Sequence, residues 1–92
     1  MNIVILGAGN VGRALAGGWA RNGHNVMLAV RDTSRADFED LAAEGVALVD
    51  ARGAAAHGDI VVVAVPWNAV TASLKDAGDM SGKIVIDATN PL

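Results

Sequence analysis

Residues 3–12, Ile-Val-Ile-Leu-Gly-Ala-Gly-Asn-Val-Gly, pass from four branched apolar side chains directly into glycines at 7, 9 and 12. Asn2 to Leu6 reads as a short strand without polar alternation, the pattern of a parallel sheet buried on both faces. From Asn10 to about Arg21 the period becomes helical, with Val11, Ala14, Leu15, Gly18 and Trp19 on one stripe and Gly23 where a helix-ending glycine belongs. A six-residue glycine pattern is weak alone, but here it leaves a strand and opens a helix. Each glycine then has a physical role. Gly7 permits the tight turn, Gly9 lets a pyrophosphate approach the main chain, and Gly12 lets the helix lie close to the sheet. Ala16, one turn on, extends that small face. The first-turn amides near Asn10 to Gly12, with Ala8 beside them in the loop, face the diphosphate, and the helix dipole favours its charge.

The rest of the chain repeats the alternation. Asn25 to Val30 is expected as a second strand; Ser34 and Asp37 resemble a capping box before a short helix carrying Phe38, Leu41 and Ala42 and closed by Gly45. Val46 to Val49 is expected as a third strand, and Ala51 to His57 as an alanine-rich helix ended by Gly58. Residues 59–66, DIVVVAVP, form a fourth strand stopped by Pro66, followed by a helix over Asn68 to Asp76. Residues 83–88, KIVIDA, give a fifth strand, and TNPL a terminal turn. Strands alternating with helices mean right-handed βαβ units, so the expected fold is a Rossmann-type three-layer α/β/α domain with a five-stranded parallel sheet ordered 3-2-1-4-5. Its ligand crevice opens outside the carboxyl ends of strands one and four, where GAGNVG and VPWN lie.

The bulk properties fit one domain over residues 1–92 and exclude several chemistries. Hydrophobic residues make up 52% but aromatics only 3%, which suits tightly packed small layers. A net charge of −3 does not suggest nucleic-acid or acidic-membrane binding. With no cysteine, disulfide and thiolate chemistry are excluded, and His24 and His57 lack the neighbouring carboxylates of a metal site. No apolar run is long enough to span a bilayer and no signal peptide is evident, so a cytoplasmic location is expected.

The second strand indicates which dinucleotide. An NAD site usually carries an acid at that strand's tip to hold the ribose hydroxyls. Here the tip is Val30–Arg31, continuing Asp-Thr-Ser-Arg. Arg31 offers a planar fork to a 2′-phosphate, Thr33 and Ser34 add hydroxyls, and Arg35 adds a second cation. Arg35 in a helix's first turn opposes the dipole unless an anion binds there. NADP is therefore expected, with Asp32 the residue that would favour NAD if it turned toward the ribose.

Residues 3–26, the RDTSR segment at 31–35, DIVVVAVP at 59–66 and GKIVIDATNPL at 82–92 together resemble the NADP-binding domain of deazaflavin (coenzyme F-420)-dependent NADP oxidoreductases. The resemblance covers essentially the whole chain. It implies hydride transfer between NADP(H) and a deazaflavin coenzyme as second substrate. It implies that Gly7 to Val11 hold the pyrophosphate and Arg31, Thr33 and Arg35 the 2′-phosphate. Val65, Pro66 and Trp67 would line the ribose and nicotinamide end, with Asn90 and Pro91 nearby. Pyrroline-carboxylate reductases and β-hydroxyacid dehydrogenases share the layout, so an N-terminal piece of such an enzyme is an alternative. A module that binds the dinucleotide without turnover is another.

Family members continue past the fifth strand, so the segment shaping the second-substrate side is expected to be absent or supplied from elsewhere. A sheet ending at KIVIDA leaves an apolar edge, and self-association is expected unless another segment covers it. No Ser-His-Asp set, tyrosine or paired carboxylate is present, and no catalytic residue is assigned. Asp87 as a base is weighed against a turn-capping role, and Trp67 as a stacking residue against a half-buried cover of the sheet edge.

Overall fold

A computed structural model describes residues 1–31, 33–34 and 36–89, and among them eleven short elements follow one another. The strands are β1 (Asn2–Leu6), β2 (Asn25–Val30), β3 (Ala47–Asp50), β4 (Ile60–Val63) and β5 (Ile84–Asp87). The α-helices are α1 (Asn10–Arg21), α2 (Glu39–Ala43) and α3 (Val70–Ala77). Three 3₁₀ turns intervene, at Ala36–Phe38, Ala54–His57 and Trp67–Ala69. All four strand pairings are parallel and the order is β3-β2-β1-β4-β5, as the alternation predicts. No helix among the described residues is long and apolar enough to cross a membrane.

Successive strand residues feed opposite faces of the sheet. Ile3, Ile5, Val26, Leu28, Val30 and Val62 pack with Ala16, Phe38 and Leu41 on one side. Val4, Leu6, Met27, Ala29, Val61 and Val63 pack with Ala54, Ala55 and Ala77 on the other. The uninterrupted apolar runs are thus explained by burial on both faces. Trp19 packs against the first of these clusters, as its place on the helical stripe predicts.

Helix ends follow the glycines. At the end of α1, His24 N–H donates to Trp19 O and Gly23 N–H to Ala20 O, both at 3.1 Å, with Gly23 at φ +88°. This is the Schellman pattern, and Gly45 repeats it after α2 with Val46 N–H bonded to Leu41 O at 3.0 Å. Val46 therefore belongs to the helix stop, and β3 begins one residue later than expected.

Three helical segments differ from the sequence reading; the one expected over Asn68 to Asp76 opens as the 3₁₀ turn Trp67–Ala69 and is α-helical over Val70–Ala77. The α2 helix starts only at Glu39, with Phe38 as its N-cap and no side-chain bond there, so Ser34 and Asp37 precede the α-helix and Asp37 lies in the 3₁₀ turn Ala36–Phe38. The buried Phe38 ring lies under the Arg13 guanidinium at 4.4 Å, and this tertiary contact fixes a 3₁₀ turn before the helix. The expected helix over 51–57 is only the 3₁₀ turn Ala54–His57. Gly53 enters it in the left-handed region at φ +74°, which breaks any continuous helix from Ala51.

Exposed carboxylates trim the strand ends. Asp50 accepts three hydrogen bonds from Arg52, and these hold its carboxyl at about 2, below the ordinary 3.8. Hydrogen bonds from Ser81 and Thr89 lower Asp79 and Asp87 in the same sense. A depressed carboxylate stabilises the fold above its unfolded pKa and loses that contribution as pH falls through the folded value. Thermal melts by circular dichroism should thus show a falling midpoint between pH 3.8 and about 2 that Asp50→Asn makes shallower.

Candidate functional site

The chain leaves β1 in one direction toward β2 and β3, and in the other toward β4 and β5, so the carboxyl ends of β1 and β4 flank a crevice. Ala64 N–H donates to Leu6 O at 2.8 Å and carries the pairing one residue beyond β4. Gly7 turns away at φ +115°, and a Cβ on it would collide with the Ala64 carbonyl. A Cβ on Gly12 would collide with the carbonyl oxygen of Gly7 and approach Ile5 Cγ2 to 3.5 Å. The first and third glycines therefore let backbone meet backbone. Gly9 differs, because its Cβ would have no atom within 4 Å. Its φ of −78° and ψ of −171° suit any residue, so the fold itself does not require glycine there.

Gly9 is also the N-cap of α1, whose first turn carries no acidic residue. First-turn amides of a helix have no acceptor within it and present partial positive charge. The loop can therefore receive an anion at the main chain.

Two cavities lie on either side of this loop. One, of about 300 Å³, is bounded by Leu6, Gly7, Ala8, Ala29, Val30, Arg31, Phe38, Ala51, Val65, Ser73 and Asp76. The other, of about 210 Å³, is bounded by Gly9, Asn10, Val11, Ala64, Val65, Pro66 and Ala88. Val65 contributes to both. The first is mostly apolar with a charged rim; among the described residues, no side chain bounding the second is titratable.

The rim of the first cavity is an ion pair that strand-tip reasoning alone did not anticipate. Arg31 Nη2 donates to Asp76 Oδ2 at 3.0 Å, bridging the tip of β2 to the end of α3. Arg31 remains 80% exposed, so the pair is a surface contact that a stronger anion can exchange at little cost. Ser73 lies one helical turn before Asp76, which puts both on the cavity side of α3. Their spacing in the sequence was the available signal, but it acquires meaning only once α3 is seen packed beside the Ala54–His57 turn.

Arg13 also escaped the sequence reading. Besides covering Phe38, it donates from Nη2 to the Asp37 carbonyl at 2.7 Å, and its guanidinium lies 3.7 Å from the Asp37 carboxylate. It pins the turn that walls the first cavity.

The remaining expected site residues are partly assembled. Gly7, Ala8 and Arg31 bound the first cavity, Gly9, Asn10, Val11 and Pro66 the second, and Val65 both. Gly12 supports the loop from behind. Thr33 and Ser34 are exposed in the turn after β2 and bound neither cavity. Trp67 opens the 3₁₀ turn after Pro66, is 61% exposed and bounds neither cavity. Arg35 and Asn90, with Asp32 and Pro91, lie outside the described residues. Asp87 accepts from Thr89 N–H at 2.9 Å and from Thr89 Oγ1 at 2.5 Å, and these bonds keep it ionised at a turn.

Comparison with known proteins agrees with this fold. No curated protein sequence matches the chain significantly. Among solved structures, a protein from Arthrobacter sp. FB24, provisionally assigned as an F420-dependent NADP reductase, is 38% identical over the whole chain with a TM-score of 0.87. An imine reductase from Myxococcus stipitatus in complex with NADP⁺ is 28% identical over 97% of the chain, with a TM-score of 0.82. A reductive aminase from Aspergillus terreus in complex with NADPH and ethyl-5-oxohexanoate is 25% identical over 97%, with a TM-score of 0.81. The chain spans 46%, 32% and 31% of those three proteins respectively, less than half of each. The family described as coenzyme F420-dependent NADP oxidoreductase matches residues 2–91. The chain belongs to that family.

Proposed function

We propose that this chain is the NADP(H)-binding domain of an oxidoreductase that exchanges hydride between NADP(H) and a deazaflavin or similar acceptor. One observation carries the reading: two cavities meet at a bare glycine loop on a helix N-terminus, with an arginine on the rim of one of them. That is the layout a dinucleotide needs, with one nucleotide on each side of a diphosphate. The family membership and the NADP⁺ and NADPH complexes of the similar reductases support it.

In this reading Gly9 gives the diphosphate room at the main chain, and the first amides of α1 donate to it. The adenosine half enters the cavity beside Ala29 and Phe38, and Arg31 exchanges Asp76 for the 2′-phosphate. Thr33, Ser34 and Arg35 supply further donors. Val65, Pro66 and Ala88 give the nicotinamide half a mostly apolar wall that limits water near the transferred hydride. The family resemblance would place Trp67 and Asn90 toward this end. When bound, the nicotinamide and its acceptor supply the redox chemistry, and the protein's task is to hold them at reacting distance.

Among the described residues, the side chains around the second cavity offer no acid or base, which suits transfer between two flat cofactors better than reduction that needs a proton donor. The same observation fits a module that binds NADP(H) without turnover. Mixing the chain with NADPH and an oxidised deazaflavin, and following the deazaflavin absorbance, separates the two. Bleaching that tracks NADPH consumption supports the oxidoreductase reading; saturable NADPH binding without bleaching supports the binding module.

Asp76 has a distinct expected effect. Its carboxylate occupies Arg31 and adds negative charge beside the proposed phosphate position. Asp76→Asn should therefore raise NADPH affinity about two- to fivefold, the range of an exposed ion pair, with little change for NADH. Calorimetric titration of both cofactors checks this.

A further inference from the structure

The first cavity has one polar wall. Leu6, Ala8, Ala29, Phe38, Ala51 and Val65 give it apolar sides, and Arg31 reaches over the rim from the tip of β2. The other polar side chains that bound it among the described residues, Ser73 and Asp76, both come from α3. One helical turn apart, they present a single surface. The fold holds that surface in place. Ala77 is buried, Val70 and Leu74 pack against the same cluster, and Gly53 N–H donates to Asp76 O at 2.7 Å.

The two side chains differ in what they can bond. A carboxylate only accepts, whereas a hydroxyl donates or accepts. Asp76 Oδ2 takes the Arg31 bond at 3.0 Å, and Oδ1 accepts no hydrogen bond among the described residues. The half-buried Ser73 hydroxyl has no protein partner among them either. An acceptor beside an adaptable hydroxyl, on the edge of an apolar space, matches a ligand edge that carries a donor beside an acceptor. Adenine has such an edge: its 6-amino group donates, and the ring nitrogens on either side of that group accept.

We propose that Asp76 selects adenine as the base of the bound cofactor, accepting from the 6-amino group while Ser73 donates to the ring nitrogen beside it. This inference rests on the reading that the adenosine half of NADP(H) enters the first cavity. Turned the other way, the amino group would lie against apolar side chains and lose its hydrogen bonds to water. A purine with oxygen at position 6, as in hypoxanthine, would set that oxygen against the carboxylate, two acceptors with no proton between them. Ser73 tolerates either base, because its hydroxyl can reverse its role. Discrimination therefore belongs to Asp76. The 2′-phosphate takes no part in it, since it sits on the ribose and not on the base.

Calorimetric titration with NADPH and with its reduced hypoxanthine analogue, which differs only in oxygen for the 6-amino group, tests the assignment. Wild type should bind NADPH about three- to tenfold more tightly than the analogue, the range of one hydrogen bond. Asp76→Asn should bring the two within about twofold, because an amide accepts from the amino group or, turned over, donates to the oxygen. Ser73→Ala should weaken both about two- to fivefold and keep their ratio. NADH and its own hypoxanthine analogue should show the wild-type ratio. Equal binding of NADPH and the analogue by wild type would overturn the assignment and leave the cofactor reading standing. So would an Asp76→Asn variant that keeps the full preference, or a preference confined to the phosphorylated pair. Wild type that binds neither nucleotide would overturn the cofactor reading and the assignment with it.

Discussion

Replacing Arg31 with alanine should lower NADPH affinity about ten- to a hundredfold and leave NADH nearly unchanged. The loss corresponds to one charge-assisted hydrogen bond, roughly 1.5–3 kcal/mol. Removing Arg31 also leaves the Asp76 carboxylate facing the incoming phosphate without its partner, which pushes in the same direction. NADH has no 2′-phosphate and meets neither effect. The wild-type preference should weaken as salt rises, because Arg31 is largely exposed and its field is screened. Reversing the preference requires an acid near the ribose, and the structure says where it can go. Val30 is 6% exposed and packs in the core with Ile5 and Phe38, so a carboxylate at Val30 would be buried without a partner. Position 31 is open, and Arg31→Glu is the substitution expected to favour NADH. Equal losses for both cofactors in Arg31→Ala would mean that Arg31 acts through structure alone.

The glycine loop gives the second large effect, and it is a contrast between two glycines three residues apart. Gly9→Val should fold like wild type and lose NADPH binding by more than a hundredfold. Its Cβ meets nothing within the protein, and its backbone angles suit a branched residue, so only an approaching ligand collides with it. Gly12→Ala should do the opposite. Its Cβ is driven into the carbonyl oxygen of Gly7, a backbone atom that cannot rotate away, and α1 must lift from the sheet. Overpacking of this kind costs roughly 1–3 kcal/mol or more, a large share of what so small a domain can hold. Thermal melts paired with NADPH titration distinguish the two. A destabilised Gly9→Val, or one that binds normally, would remove the diphosphate from this loop.

The strands and their order were legible because parallel strands buried on both faces must be apolar throughout, and Ile3 to Leu6 and Ile60 to Val63 are. The helix stops were legible too, since Gly23 and Gly45 occupy left-handed positions that other residues rarely adopt. What escaped the sequence was set by contacts between distant segments. Gly53 looks like any residue before an alanine run, yet its left-handed conformation reduces the expected helix to a single turn. Phe38 read as a residue within a helix, but the Arg13 guanidinium over its ring fixes a 3₁₀ turn there and moves the helix start beyond it. The same limit applied to the site. Gly7, Gly9, Gly12 and Arg31 announce themselves by type and spacing, whereas Asp76 lies 45 residues from Arg31 and meets it only because α3 packs beside the Ala54–His57 turn, with Gly53 N–H bonded to Asp76 O at 2.7 Å. For Trp67 the sequence leaves open a stacking role at the crevice and a half-buried cover of the sheet edge; the 3₁₀ turn it opens leaves it 61% exposed, lining neither cavity.

The central claim is that NADP(H) lies across the glycine loop with its 2′-phosphate at the tip of β2. The most direct test follows the backbone amides of the ¹⁵N-labelled chain by NMR during titration with NADPH and then with NADH. The account predicts saturable shifts for both cofactors at Gly9, Asn10, Val11 and Gly12, and a large shift at Arg31 with NADPH that NADH does not produce. Shifts that bypass the loop, or equal shifts at Arg31 with the two cofactors, would contradict it.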